Sequence, residues 1–207
     1  RRQRQMCIRD SVDIDLHRKL SIGYLEVLPR GIVLKEIMWR KVYVNGDKVE
    51  VPVLSDKAEV VREAAYVFLK DFKITPASYY LGLYSLNNLD INEISTLAEK
   101  VGLDYHVYMY FTAVALLTLS IYGSTDLLNV NLCLRPEAKL ATTLLRKPED
   151  VPYFLHPFNA VMGYLVKFLK DIKLRNYRNS LSILRQFSSK GVGQLIDYTK
   201  GLLGIEQ

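Results

Sequence analysis

The sequence predicts a mainly α fold: a helical bundle of about seven helices with a small N-terminal β-hairpin element. Three observations carry this. Alternating β-branched runs flank a single Asn45-Gly46 dipeptide. Nearly every later segment has apolar residues at helical spacing between capping signals. One long run, Tyr105 to Tyr122, contains no Asp, Glu, Lys or Arg and supplies an apolar axis for the others to pack on.

Taken from the start, the chain opens RRQRQMCIRD before Ser11. Arg1 to Asp10 resemble, residue for residue, one reading frame of a transposase-type sequencing-library adapter. The native protein is therefore expected to begin near Ser11, as a fragment from environmental DNA, and residues 1–10 are set aside. Doing so halves the formal net charge from +6 to +3 and leaves Cys133 as the one cysteine. A lone thiol makes no internal disulfide and suits a cytoplasmic setting.

Residues 11–55 hold the β signal. Trp39 to Val44 and Asp47 to Leu54 alternate around Asn45-Gly46, a pair suited to a type I′ turn in which both residues take positive φ. Pro52 places the second strand at an edge. The stretch from Ile22 to Ile37 is expected to add a strand or two, broken at Pro29-Arg30-Gly31.

Residues 56–156 read as a helical core. Asp56 with Glu59 forms a capping pair ahead of an apolar stripe of Val60, Val61, Ala64, Phe68 and Leu69. Thr75-Pro76 starts the next helix, toward Leu86. Asp90 with Glu93 starts another, which Gly102 closes. Asp104 is expected to cap the long apolar run, which ends at Tyr122-Gly123, and a further helix is expected from Pro136 to Arg146. That run reaches the lower length for a membrane span. His106, Thr112, Thr118 and Ser120 dilute it, and its amphipathic neighbours need an apolar partner, so a buried central helix is expected and no membrane association.

Residues 157–207 form the basic C-terminal section, with helices expected at about 158–173, 176–189 and 192–203. This section has net charge +5, against −2 for residues 11–156. On the second of these helices Arg178, Ser182, Arg185 and Ser189 share a stripe, and Tyr177, Leu181, Leu184 and Phe187 are expected to face the core. Lys167 and Lys170 are expected on the outer face of the preceding helix, with Lys173 and Arg175 in the connection. Arginine forks and serine hydroxyls grip phosphate, so Lys167, Lys170, Lys173, Arg175, Arg178, Ser182 and Arg185 are the candidate nucleic-acid contacts. The competing reading is a solvated face with Lys167 and Asp171 as an ordinary i,i+4 pair.

Catalytic signals are sparse. His17, His106 and His156 lie far apart with no HExxH or CxxC spacing, and Asp13-x-Asp15 has no partner carboxylates. No phosphate loop and no GxSxG elbow occurs. No cofactor, metal or catalytic residue is therefore assigned.

The stretches Pro157-Phe158-Asn159-Ala160-Val161-Met162-Gly163-Tyr164 and Leu174-Arg175-Asn176-Tyr177-Arg178-Asn179 resemble the large subunits of archaeal type I CRISPR effector complexes. The resemblance covers a quarter to a half of the chain and rests on architecture and basic helices. It implies an antiviral defence role in which a terminal helical bundle helps hold target DNA. The expected function is a non-catalytic nucleic-acid-binding or assembly subunit with DNA or RNA and protein partners. The alternatives are a protein–protein interaction module without nucleic acid, or the end of an enzyme whose active site lies upstream.

Overall fold

The computed structural model describes residues 6–8, 12–14, 20–22, 25–124, 128, 153–154, 157–188, 192–193 and 196. Among these the chain is mainly α, with seven α-helices and short antiparallel strand pairs concentrated toward the N-terminus. β1 (Met6–Ile8) pairs with β2 (Val12–Ile14), and β3 (Leu20–Ile22) pairs with β4 (Leu25–Leu28). The short α1 (Arg30–Lys35) follows Pro29, whose fixed φ suits the entry to a helix.

The expected hairpin is present. β5 (Ile37–Val44) and β6 (Asp47–Leu54) pair in register from Ile37 opposite Leu54 to Val44 opposite Asp47. The turn residues Asn45 and Gly46 both take positive φ, 52° and 90°, as a type I′ turn requires. The ribbon stands away from the core, and Trp39 and Tyr43 are 66% and 74% exposed. Its base is fastened by Ser55 N–H donating to Glu36 O at 2.6 Å and by an Arg40–Asp56 ion pair.

α2 (Asp56–Tyr66) begins one residue earlier than the Asp56 cap anticipated. Ser55 is the N-cap, its hydroxyl accepting from Ala58 N–H, and Asp56 lies in the first turn. The helix runs on as a π-turn, Val67–Asp71, and stops at Phe72 in the left-handed region, φ 50°. β7 (Lys73–Ile74) pairs with β8 (Tyr153–Phe154). Thr75 caps α3 (Pro76–Asn88) by accepting from Ser78 N–H at 3.1 Å, with Pro76 at the first helical position. Asp90 caps α4 (Ile91–Val101), although Glu93 turns to Lys57 instead of back to the cap. Gly102 ends α4 at φ 67°.

α5 (Asp104–Tyr122) is the axis of the core, with twelve buried positions between His106 and Thr118. Asp104 does not cap it as expected: Leu103 is the N-cap, with no side-chain hydrogen bond, and Asp104 lies in the first turn, its carboxylate drawn to Lys170. By length and composition this helix is able to cross a membrane, with mean hydropathy 1.2, yet it is packed inside by α2, α3 and α4. Several of its polar side chains find partners within the protein. Thr112 and Thr118 hydroxyls donate to the carbonyls four residues earlier, and Thr118 also meets the Tyr79 hydroxyl at 2.9 Å. Tyr110 donates to the Ser78 carbonyl. Hydroxyls paired in this way suit a helix buried among its neighbours.

The remaining helices are α6 (Pro157–Lys173) and α7 (Tyr177–Gln186). The helices expected at 136–146 and 192–203, and Cys133, His17, Asp15 and His156, lie outside the described residues or are described only in isolated positions.

Two consequences are measurable. A Cβ on Gly82 would sit 2.5 Å from Val114 Cγ2, so α3 and α5 approach this closely only because position 82 is glycine. Gly82→Ala is expected to lower unfolding free energy by about 1–3 kcal/mol, read by urea denaturation. The second concerns His106, whose Nε2 meets the Gly163 carbonyl at 3.0 Å in a fully buried site. Burial, reinforced by the nearby Lys167 charge, holds its pKa down to about 3. The folded protein therefore holds fewer protons than the unfolded chain between pH about 3 and 6.5, and stability is lost as pH falls through that window. His106→Gln is expected to flatten that loss when unfolding free energies at pH 7 and pH 4.5 are compared.

Candidate interaction surface on the C-terminal helices

α6 and α7 form an antiparallel-style helical hairpin joined by Leu174-Arg175-Asn176, with Arg175 at φ 58° and Asn176 as the cap of α7. One side of each helix is buried. On α6 this side carries Gly163, Tyr164, Lys167 and Asp171, spaced so that they share a helical stripe. Gly163 faces the π-turn, and a Cβ there would make ordinary contact with the Phe68 carbonyl oxygen at 3.4 Å. Tyr164 donates to the Leu69 carbonyl at 2.5 Å, and burial pushes its phenol pKa up to about 12.

At the centre of the buried side is a polar chain linking four elements. Lys167 Nζ donates to the Val101 carbonyl at 2.7 Å, at the C-terminal end of α4, and to Asp171 Oδ1 at 2.6 Å. Asp171 Oδ2 accepts from Asn179 Nδ2 of α7 at 2.7 Å. Asn179 in turn pairs with the backbone of β4: Glu26 N–H donates to its Oδ1 at 3.0 Å, and its Nδ2 donates to Glu26 O at 3.2 Å. The ammonium also meets the negative end of the α4 dipole. Gly102 makes room for this approach, because a Cβ there would press on Lys170 Cβ at 3.1 Å.

Burial lowers the Lys167 pKa against the opposing pull of Asp171, and burial raises the Asp171 pKa against the opposing pull of Lys167. Desolvation outweighs attraction on both partners. The pair therefore orients helices more than it stabilises them.

This geometry revises the outer-face expectation for Lys167. Its side chain is 2% exposed, and its ammonium is already held. The reason is position: residue 167 follows Tyr164 by three and precedes Asp171 by four, on the inward stripe. Lys170 is partly exposed, with its ammonium paired to Asp104 Oδ2 at 2.8 Å. Ser182 is half-buried and donates its hydroxyl proton to the Arg178 carbonyl at 3.0 Å, leaving no donor for a phosphate. Lys173, Arg175, Arg178 and Arg185 are exposed. Four of the seven expected contacts therefore lie open on the surface, all between the end of α6 and the end of α7.

The orientation of α7 also differs from expectation. Its buried residues are Asn179, Ser180, Ile183 and Gln186. Tyr177, Leu181 and Leu184, expected in the core, are 60%, 68% and 51% exposed. Only Phe187 of that set turns inward, its ring edge-on to Tyr164 at 5.4 Å. On α6 the outward side is also apolar: Val161, Leu165, Leu169 and Ile172 are all exposed. Among the described residues 157–188 the one acidic side chain is Asp171, and it is buried. The result is an apolar face whose exposed charges are all cationic.

Sequence reasoning missed Asp171 and Asn179 as organising residues. The Lys167–Asp171 spacing was visible, but spacing alone does not say whether such a pair faces water or core. Among the described residues no group of three or more His, Cys, Asp or Glu is placed to hold a metal ion. No family model matches the chain, and neither a characterised protein nor a solved structure shows significant similarity to it.

The buried pair makes a prediction of its own. Asp171→Ala and Lys167→Met are each expected to destabilise by about 3–5 kcal/mol, because each strands a buried charge. The double variant should cost clearly less than the sum of the two, measured in a double-mutant cycle.

Proposed function

We propose that this chain is a non-catalytic assembly subunit, attached to a larger complex through the outward side of α6 and α7. One observation carries the reading. Seven large apolar side chains on two packed helices are exposed, while Asn179, Ser180 and Gln186 of α7 are turned inward. Scattered surface leucines are ordinary, but aligned stripes on neighbouring helices mark an interaction site. Burying a leucine fully contributes about 1.5–3 kcal/mol, so a few such positions suffice for stable docking.

The test uses the contrast between a free face and a core face. Leu165→Glu, Leu169→Glu and Leu181→Glu, together, are expected to leave the thermal midpoint within a few degrees of the parent. They should also reduce binding of a hydrophobic dye by the isolated chain. A collapse of stability in this variant would place the stripe inside the fold and defeat the reading.

A second reading is favoured by the exposed cations. Lys173, Arg175 and Arg178 are exposed and have no carboxylate partner among the described residues, and Arg185 is exposed on the same helix as Arg178. They are proposed to contact the phosphate backbone of DNA or RNA, with Lys167 and Ser182 no longer among the contacts. Arg178→Ala combined with Arg185→Ala is expected to weaken oligonucleotide binding and to reduce its salt slope by about 2. Salt-independent binding, or none, removes this reading. Attachment to neighbouring subunits beside a phosphate track is also what the resemblance to CRISPR effector large subunits implies, and that role is proposed on the same footing.

A further inference from the structure

The assembly reading leaves open what kind of partner the α6–α7 face accepts, and the charge pattern around the apolar stripes narrows it. On α7, Tyr177, Leu181 and Leu184 recur at i, i+4 and i+7, while Arg178 and Arg185 lie about 70–95° around the helix from the middle of that stripe. On α6, Val161, Leu165, Leu169 and Ile172 repeat the same spacing, and Lys173 and Arg175 follow at the connection. Both stripes therefore share a cationic border.

Resting on that reading, we infer that the face receives an amphipathic helix of a partner protein that presents acidic residues beside its apolar stripe. Two packed helices with outward stripes accept a third helix by seating its ridge against theirs. The border sets the partner's charge. Asp171 is turned inward, so the described part of α6 and α7 has no exposed carboxylate with which to pair an incoming lysine. An incoming Glu or Asp meets Arg178, Lys173 or Arg175, none of which has a carboxylate partner among the described residues.

A second copy of this chain docking the same face is disfavoured on the same grounds. A two-fold interface sets each patch against its own image, and here that brings cations against cations. A bare phosphate track is the less favoured alternative, since it would leave the exposed leucines in water.

The experiment is a selection on the immobilised full chain. The library is of displayed helices about 20 residues long, with leucine fixed at i, i+4 and i+7 repeats and Glu or Lys encoded in equal share at the flanking positions. Selected helices are expected to carry Glu over Lys by at least about threefold. Their affinity should fall about tenfold in the chain with Leu181→Glu and Leu184→Glu, and by a similar factor with Arg178→Glu and Arg185→Glu. Equal use of Glu and Lys with the leucine dependence retained overturns the acidic-helix inference while the assembly reading survives. Selection of no helix overturns it too, and the stability of the Leu165, Leu169 and Leu181 variant then decides the assembly reading separately. Retention of labelled oligodeoxythymidine with no helix selected makes phosphate the ligand and overturns the inference.

Discussion

The arrangement of the C-terminal half depends on one buried polar chain, from the Val101 carbonyl through Lys167 and Asp171 to Asn179 and the Glu26 backbone. Each member is satisfied only when α4, α6, α7 and β4 are in place together. Breaking any link leaves a desolvated charge or amide, which costs far more than the intact chain contributes. The consequence is specificity of placement. α7 must present Asn179 to Asp171, and a ten-residue helix that turns one face inward has to turn the opposite face out. The exposure of Tyr177, Leu181 and Leu184 thus follows from a polar contact on the other side of the helix.

Around that constraint the core is built by close approach. α5 is apolar enough to be enclosed by its neighbours, and Gly82 sets how near α3 comes to Val114. His106, fully buried, is held neutral by burial and donates its Nε2 proton to the Gly163 carbonyl on α6. Its Nδ1 has no hydrogen-bond partner among the described residues. The same low-dielectric interior that isolates His106 makes the Lys167–Asp171 pair costly, so both features describe one tightly closed region between α5 and α6.

Much of the fold was legible from local chemistry. Asn45-Gly46 specifies its own turn because both residues tolerate positive φ. Thr75-Pro76 and Asp90 mark helix starts because their side chains meet orphan backbone N–H groups. The Tyr105–Tyr122 run announces a central helix through its lack of charge. The cap of α2 moved to Ser55, a one-residue difference that periodicity does not resolve. The site was far less legible. An amphipathic pattern states that α7 has two faces, and hydrophobicity alone sends the leucine face inward. The competing contact, Asn179 with Glu26, spans 153 residues of sequence and leaves no local trace. Lys167 was misplaced for the same reason, because its partner carbonyl belongs to α4.

Since the account turns on which side of α7 faces solvent, the most direct measurement is thiol accessibility along that helix. Leu181→Cys and Ile183→Cys, each in a chain with Cys7 and Cys133 replaced by serine, would be labelled with a small maleimide under native conditions. Leu181→Cys is expected to react at nearly the rate of the unfolded chain, and Ile183→Cys about a hundredfold or more slower, as protection by a folded core requires. Fast labelling at position 183 with protection at 181 would contradict the account, because the apolar stripe would then be core and the proposed docking face would not exist.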